Sequence, residues 1–381
     1  LTAPVSGWTA IVSRSSGGAL GLRSESVAVL SLDLASWHRR LRYGDPDFAG
    51  VDLDGDGITR AADPRPFPWS SPTWRSPGAD LWVEVLVAQI EALARATLPR
   101  IWPLPSPAPS AVILGVEGAS EASLQSLEEL SIEASSLVRW GTRSHPADPV
   151  ASAGGVLPSL EVREAARRFG HGFVMESNGL GLGSGREIEQ AVRLHAARFE
   201  DLLEHPRVAG GRGALWWNSA GPPELYAALG LWMHMDQVPG KVRFRTPGFA
   251  FGGGRPMRSL GEDGRLLPLL AQPVQVDRAW PALAVRQLLD DAARFRVPVA
   301  ARAPAEELVE LLEAALEREL PVLSYERWAT FSWQRLRVLE GASPADPLVP
   351  LLLWDPSSDC EDPMPLSPLG PSGCLSPLPS R

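Results

Sequence analysis

The sequence has very little lysine, few cysteines and no long apolar run. Lys241 is the only lysine among 36 Lys and Arg residues, and the formal net charge is -9. An acidic chain of this kind repels a phosphate backbone, which disfavours nucleic acid as a partner. No apolar run approaches the roughly 18–20 residues that a membrane helix needs, so no membrane span is predicted.

The two cysteines, Cys360 and Cys374, both lie near the C-terminal end. A disulfide between them would fit an exported protein, and two reduced thiols would fit a cytosolic one, so the pattern leaves the redox compartment open. The chain starts at Leu1 without a signal-peptide pattern, and any export signal is expected to lie upstream.

The signatures of several nucleophilic enzymes are also missing. The chain has no Gly-x-Ser-x-Gly elbow, and neither cysteine has a histidine close by in sequence, which disfavours a serine or thiol hydrolase. Glycines crowd residues 178–187 before a predicted helix, but the Gly-Lys-Ser/Thr ending of a phosphate-binding loop is absent. A loop at the rim of a site is the better interpretation of that stretch.

A regular alternation of helix and strand patterns follows residue 110. An apolar run at residues 111–116 predicts a strand that is buried on both faces. The helix–strand pairs predicted after it are 159–170 with 172–176, 185–204 with 213–218, 222–230 with 231–236, 283–295 with 297–301, and 305–320 with 321–325. This alternation predicts a parallel α/β sheet or barrel.

Four regions are predicted along the chain. They are the remnant of an α/β domain at residues 1–45, a loop, helix and Pro-rich connector at 46–108, a barrel at 109–340, and a Pro/Ser-rich tail at 341–381. The first region carries two short β-branched runs and a short basic helix. The helix of the second region places Val83, Leu86, Ile90 and Leu93 on one face.

A loop rich in Asp and Gly has the spacing of a twelve-residue calcium-binding loop. Asp52, Asp54 and Asp56 stand at its positions 1, 3 and 5. Ile58 would offer a carbonyl oxygen at position 7, and Asp63 stands at position 12. Ca²⁺ requires several oxygen ligands, and alternate carboxylates on a tight loop supply them. The loop therefore predicts a structural Ca²⁺, with an ion-free surface turn as the alternative.

Several stretches resemble the bacterial polysaccharide deacetylases, which are metal-dependent carbohydrate esterases. They lie at residues 27–37, 103–118, 167–178, 230–236, 247–273 and 321–335. The most specific is PGFAFGGGRPMRSLGEDGRLLPLLAQP, at 247–273. The resemblance implies a deformed (β/α) barrel preceded by the remnant of an amidotransferase-like α/β domain. It also implies a carbohydrate or cell-envelope polysaccharide as partner and an extracytoplasmic location.

The same resemblance implies where a metal site should be, and this chain departs from it. In active members an Asp pair follows the first barrel strand, with the first Asp as general base and the second as a metal ligand. A His pair completes the metal site, and the ion activates a water molecule. Glu117 and Gly118 stand at the Asp pair. Glu117 could still act as a base, whereas Gly118 has no ligand atom. Glu176 replaces the first metal histidine, and no partner histidine follows.

Two further motifs are incomplete. The family's Arg-x-His motif is represented here by Arg212, with Ala214 at the histidine position. A later histidine of the family, which protonates the leaving amine, corresponds to a position near Ala303. Two carboxylates without an imidazole make a weak zinc site, although residual ion binding through Glu117 and Glu176 stays open. The resemblance therefore implies that hydrolysis is lost and that catalytic Zn²⁺ or another divalent ion is absent.

Other polar and aromatic residues are weaker candidates. His234 and Asp236 flank Met235 on one strand face, where they form either a small polar site or a buried contact. His171 is expected at the start of a strand in a structural role. His195 and His205 are expected in solvent, on or beside an exposed helix.

Aromatic residues provide the candidates for glycan contacts. Trp216 and Trp217 end a predicted strand at the expected barrel mouth, where they could stack on sugar rings or pack in the core. Three functions are thus carried forward: a catalytically impaired deacetylase-like protein that binds glycans, an active N-deacetylase with an altered metal site, and a structural module without a ligand. The sequence does not indicate the oligomeric state.

Overall fold

The computed structural model describes the chain in separate ranges. These are residues 9–13, 19–30, 33–48, 51, 75–95, 100–139, 160–176, 185–203, 205–210, 222–239, 247–261, 263, 265–340, 352–354 and 375–377. Within these ranges, no helix is long and apolar enough to cross a lipid bilayer.

The N-terminal part contains a small antiparallel sheet and two helices. The sheet has the order β1–β2–β3, with β1 at Thr9–Ser13, β2 at Ala19–Arg23 and β3 at Ala28–Leu30. Helix α1 spans Leu34–Tyr43 and α2 spans Gly78–Ala94, which confirms both predicted helices. The strand β2 lies between β1 and β3 in the sequence and pairs antiparallel with both.

The main sheet and the helices around it occupy most of residues 112–339. Its strands are β5 (Val112–Glu117), β6 (Ser135–Arg139), β7 (Gly172–Glu176), β8 (Val208–Gly210), β9 (Met233–His234), β10 (Met257–Leu260), β11 (Leu266–Ala271), β12 (Val299–Pro304) and β13 (Val322–Ser324). Its helices are α3 (Glu121–Glu129), α4 (Leu160–Arg168), α5 (Gly185–Leu202), α6 (Pro222–Ala228), α7 (Ala282–Phe295), α8 (Val309–Leu316) and α9 (Tyr325–Leu339).

Most of these strands run parallel, as the helix–strand alternation predicts. The order is β10–β11–β9–β8–β7–β6–β5–β12, and only β10 pairs antiparallel, with β11. The observed strand after α5 is β8, whereas the sequence predicts one at 213–218, outside the described residues. The result is a mixed α/β fold.

Backbone hydrogen bonds also connect β12 to the side of the curled sheet that contains β9 and β11. The chain continues beyond β11, and Val274 N donates to Gln237 O at 2.9 Å. Gln275 N then donates to Ala300 O at 2.9 Å, and Arg302 N donates to Val276 O at 2.8 Å. Residues 272–276 thereby join β9 to β12, an arrangement consistent with the predicted deformed barrel.

The strand β13 and helix α9 fill the inside of the curl. Along its first half β5 pairs with β13, and along its second half it pairs with β6. Helix α9 follows β13 directly, and its residues Tyr325 and Trp328 are 0% exposed. Ser324 caps the helix by accepting a hydrogen bond from Arg327 N.

Side chains on the strands alternate between two apolar layers, as the period of two requires. On β5, Val112, Leu114 and Val116 pack outward against α7 and α8. Ile113 faces inward, in the cluster that contains Tyr325 and Trp328. Side chains on the inner face of β5 therefore point toward the inside of the curl, and those on the outer face point toward the helices.

Two regions outside the strand–helix alternation also pack or pair. The Pro-rich connector contributes Trp102 and Leu104 to the inner cluster, and both are at most 1% exposed. The predicted tail contains β14 (Leu352–Trp354) and β15 (Leu375–Pro377). They form a sheet of order β15–β14–β4 with the short strand β4 (Arg100–Ile101).

Candidate functional site

Three charged side chains meet on the inner face of the barrel. Glu117 ends β5, Glu176 ends β7, and Arg302 lies four residues into β12. The strands are parallel, so the two glutamates stand at the same, carboxyl-terminal edge of the sheet. Ligands commonly bind beyond this edge in α/β sheets and barrels.

The guanidinium of Arg302 lies between the two carboxylates. Its Nη2 donates to Glu176 Oε1 at 2.7 Å and to Glu117 Oε1 at 3.0 Å, and its Nε donates to Glu117 Oε1 at 3.2 Å. The side chains of Arg302 and Glu176 are 1% exposed, whereas that of Glu117 is 17% exposed. The group is therefore buried on one side and reaches solvent through Glu117.

The strand register explains how Arg302 reaches this position. Arg302 pairs with Gly115, two residues before Glu117 on the same face of β5. An added Cβ at Gly115 would lie 2.8 Å from both Leu137 Cδ1 and Tyr325 Cε2, so these two side chains fill the space beside the glycine. An added Cβ at Gly210 would lie 3.4 Å from Arg302 Nη1 and 2.8 Å from Met235 Cγ, so the end of β8 is also narrow.

The charges of the site hold the arginine protonated. Burial by itself would lower the pKa of Arg302, but the carboxylates of Glu176 and Glu117 outweigh that effect and raise the pKa above its ordinary value. Burial raises the pKa of Tyr325, whose hydroxyl donates to Ala301 O at 3.4 Å beneath the arginine. The result is a fixed cation with two anions around it.

These residues do not fit a catalytic divalent ion. Oxygen atoms of Glu117 and Glu176 already accept hydrogen bonds from Arg302, and the positive charge would repel a second cation. Gly118 has a φ of +61°, and an added Cβ there would meet nothing within 4 Å. A metal-binding side chain would have room at position 118, but glycine has no side-chain atom that could bind a metal ion.

The second predicted pair lies on the other face of the sheet. Met233 and Met235 point into the inner cluster, so His234 between them points outward. Its Nε2 lies 3.0 Å from Ser259 Oγ, and its Nδ1 lies 3.7 Å from Asp236 Oδ2. Burial lowers the pKa of His234 to about 3, which keeps the ring neutral. The pair is thus separate from Arg302 and its carboxylates.

The remaining histidines divide between structural and exposed positions. Ala134 N donates to His171 Nδ1 at 3.2 Å, and His171 Nε2 lies 3.0 Å from Leu124 O, which confirms a structural role at the start of β7. His205 has a 55% exposed side chain, as predicted. The prediction for His195 was wrong, because it is 4% exposed on the inward side of α5.

Several predicted site residues lie outside the described part of the chain. They are Arg212, Ala214, Trp216 and Trp217 at the expected barrel mouth, and Asp52, Asp54, Asp56, Ile58 and Asp63 of the calcium-type loop. Calcium binding and stacking on sugars therefore stay predictions. Ala303, near the expected late histidine, is described and packs in the outer layer at 0% exposure.

Sequence reasoning missed Arg302 and the segment beside it. A single charged residue within the apolar strand VPVAARAP is the signal that could have revealed Arg302. The segment after Val276 runs along the carboxyl-terminal end of β12 and carries Arg278 and Trp280. The guanidinium of Arg278 lies 4.2 Å from the centroid of the Trp280 ring.

Comparison with known proteins gives a distant structural likeness. No protein-family model and no curated protein matches the sequence. Among solved structures, the chain is similar to a Mycobacterium smegmatis protein provisionally named a polysaccharide deacetylase. The TM-score is 0.42 at 13% sequence identity, and the match covers 63% of this chain and 94% of the other. A likeness of this degree concerns the fold alone.

The chemistry available to the site follows from its three groups. A guanidinium can orient and neutralise carboxylates, but it has no lone pair or vacant coordination position with which to bind and activate water. Glu117 reaches solvent and can accept hydrogen bonds from a ligand hydroxyl or amide. The arrangement thus offers a partly exposed hydrogen-bond acceptor beside a buried cation.

Proposed function

We propose that the protein is a polysaccharide-deacetylase-like protein of carbohydrate metabolism or the cell envelope that binds a glycan at the barrel mouth without deacetylating it. The observation that carries this proposal is the buried guanidinium of Arg302 between Glu117 and Glu176. An extracytoplasmic location is part of the proposal, because such glycans lie outside the cytoplasm.

The loss of hydrolysis follows from what deacetylation needs. A divalent ion must polarise the acetamide carbonyl and lower the pKa of its bound water. The raised pKa of Arg302 keeps a permanent cation in contact with both carboxylates that could have bound such an ion. Glu117, the candidate base, is also engaged by this cation.

Glycan binding is supported by the position and chemistry of the site. The Glu117 carboxylate is partly exposed beyond the strand ends and can accept hydrogen bonds from sugar hydroxyls. Trp216 and Trp217 supply two aromatic rings in the sequence, and aromatic faces can stack on sugar rings.

An active N-deacetylase with an altered metal site is the second candidate. It is favoured by the convergence of Glu117 and Glu176 on one guanidinium, since the same carboxylates could bind an ion if Arg302 turned away. Glu117 would then act as the base and Glu176 as a ligand. The two candidates make opposite predictions for acetate release.

Acetate release separates these candidates. The full chain is incubated with chitotetraose and with peptidoglycan fragments, in the presence of Zn²⁺ or Co²⁺ and then with EDTA. We expect no release above the protein-free blank under any of these conditions. Metal-dependent release that Glu117→Gln abolishes would overturn the proposal in favour of the active enzyme.

A glycan array tests the binding part of the proposal. We expect the wild-type chain to bind a subset of N-acetylated glycans and Trp216→Ala to lose that binding. Trp333→Phe is the matched control, because Trp333 stacks on Trp232 at the opposite, amino-terminal end of β9. No binding to any glycan, by a protein that is folded, would instead support a structural module.

A further inference from the structure

A cavity of about 330 Å³ lies apart from the proposed glycan site. It is enclosed by α1, α2, the β10–β11 hairpin and α9, and none of its lining residues belongs to β5, β7 or β12. Its size is in the range of pockets that hold small molecules. The lining differs from that of the barrel mouth in both polarity and charge.

One side of this cavity is apolar. It is formed by Trp328, Phe331, Leu336 and Leu339 of α9, with Met257 and Leu270 of the hairpin. Trp328 is fixed in place because its Nε1 donates to Gln272 Oε1 at 2.7 Å. A ligand that fills this side must therefore have an apolar body.

The other side of the cavity is rich in arginine. Among the described residues, Arg42, Arg255, Arg258 and Arg335 line it together with one carboxylate, Asp80. Four guanidinium groups and one carboxylate give a formal lining charge of +3. The chain as a whole has a formal charge of -9, so this concentration of positive charge is local.

Internal partners fix the geometry of these arginines and neutralise part of their charge. Arg42 forms a buried ion pair with Asp80, and Asp80 Oδ2 also accepts from Gly254 N at 2.9 Å. Arg255 Nη1 lies 2.6 Å from Glu84 Oε1, and Arg258 Nη1 lies 2.5 Å from Glu340 Oε1.

These two glutamates stand outside the cavity lining and are 39% and 47% exposed, so solvent screens both of the ion pairs.

Arg335 is held close to another positive charge. Burial, together with the nearby Arg255, lowers the pKa of Arg335 to about 10, although Glu84 acts in the opposite sense. Burial also lowers the pKa of His38, which keeps that ring neutral at physiological pH. An anion placed between Arg255 and Arg335 would relieve the repulsion between them.

We propose that this cavity binds a small organic carboxylate, with the carboxylate between Arg335 and Arg255 and an apolar body against Trp328 and Phe331. Arginine is suited to this role because its planar donors match the two oxygens of a carboxylate. The proposal concerns a second ligand and does not depend on the function of the barrel mouth.

Calorimetric titration of the full chain with octanoate tests the proposal. We expect saturable binding of one octanoate per chain, and a rise in Tm as octanoate is added. Octanamide has the same apolar body without the charge, and inorganic phosphate has charge without the body. Both should bind more weakly than octanoate by about tenfold or more.

A matched pair of variants on α9 locates the site. Arg335→Gln should weaken octanoate binding by about tenfold, because it removes one of the two guanidinium groups proposed to hold the carboxylate. Arg337→Gln removes an exposed charge two residues away and should leave the affinity unchanged.

Octanoate that fails to bind the wild-type chain, equal binding of octanamide, or an unaffected Arg335→Gln variant with a wild-type Tm would each overturn the proposal. If Arg335→Gln does not fold, the wild-type comparison of octanoate with octanamide decides the matter.

Discussion

Arg302 contacts both carboxylates at the carboxyl-terminal edge of the sheet. Its guanidinium is planar and permanently charged, and it donates hydrogen bonds in fixed directions to Glu117 and Glu176. Two buried carboxylates without a cation would repel each other and lose their hydration. A single arginine therefore stabilises the pair and at the same time occupies the atoms that a metal ion would need.

Replacing Arg302 tests this stabilising role. Arg302→Met keeps an unbranched chain of similar length but removes the charge. We expect the free energy of unfolding to fall by about 3–5 kcal/mol, because the two glutamates remain buried without their counterion. Urea unfolding at pH 7 measures the change.

The control for that measurement is an exposed ion pair. Arg286 lies 3.0 Å from Glu317, and the two side chains are 46% and 52% exposed. Arg286→Met should cost less than about 1 kcal/mol, because solvent screens the pair. Equal losses in the two variants would show that burial of the Arg302 pairs contributes nothing.

The buried histidines His234 and His195 are expected to make the free energy of unfolding depend on pH. Burial lowers the pKa of His234 from 6.5 to about 3 and that of His195 from 6.5 to about 4. Below pH 6.5 the unfolded chain binds protons that the folded chain does not, so stability falls as the pH falls through this window. Each pH unit should cost about 1.4 kcal/mol per histidine.

Urea unfolding at pH 7, 6 and 5 checks this expectation. His234→Gln should reduce the loss of stability between pH 7 and pH 5, whatever its effect at pH 7. His205→Gln changes an exposed side chain and should retain the wild-type pH dependence. A His234 variant with the full wild-type slope would contradict the account.

At the scale of elements, the packing around β5 explains why Gly115 lies on its inner face. An added Cβ at Gly115 would lie 2.8 Å from both Leu137 Cδ1 and Tyr325 Cε2. Position 115 thus has no room for a side chain, because Tyr325 of α9 and Leu137 of β6 pack against the backbone there.

A pair of glycine variants tests this packing. Gly115→Val should lower the free energy of unfolding by about 3 kcal/mol, because the core there has no room for the added atoms. Gly118→Asn should change it by less than about 1 kcal/mol, since asparagine tolerates positive φ and the space is open. Similar losses in both variants would contradict the account.

Local patterns predicted the helices and most strands of the barrel region. The period of 3.6 residues identified α4, α5, α7 and α8, and the apolar run identified β5. The insertion of β13 beside β5 and the link through residues 272–276 depend on contacts between distant parts of the chain, which local periodicity does not report.

Prediction of the site had the same limit. Glu117 and Glu176 were found because they stand at the metal-site positions that the resemblance to polysaccharide deacetylases implies. Arg302 was missed because its importance comes from the register that places it opposite Gly115. The Pro-rich connector was expected to be a spacer, but two large apolar residues in it, Trp102 and Leu104, are buried in the core.

At the scale of the whole molecule, the calcium-type loop makes a separate prediction. If Asp52, Asp54 and Asp56 bind Ca²⁺, EGTA should lower the Tm of the full chain, and added Ca²⁺ but not equimolar Mg²⁺ should restore it. Asp54→Ala should remove this response. A Tm that does not respond to EGTA in the wild-type protein would support the ion-free turn.

The whole molecule has a formal charge of -9, with arginine side chains at two separate candidate sites. Arg302 lies between two carboxylates on the inner face of the curled sheet, whereas the described arginines of the cavity beside α9 outnumber the carboxylate that lines it. We expect the first arrangement to disfavour cations and the second to attract anions. The two can be tested independently, because they share no residue.

The most direct test of the central claim is anomalous diffraction at the zinc edge from crystals of the full chain soaked in Zn²⁺. We predict density for the Arg302 guanidinium between Glu117 and Glu176, with no anomalous peak inside the barrel. A zinc peak bound by these two carboxylates, with the Arg302 side chain displaced, would contradict the account.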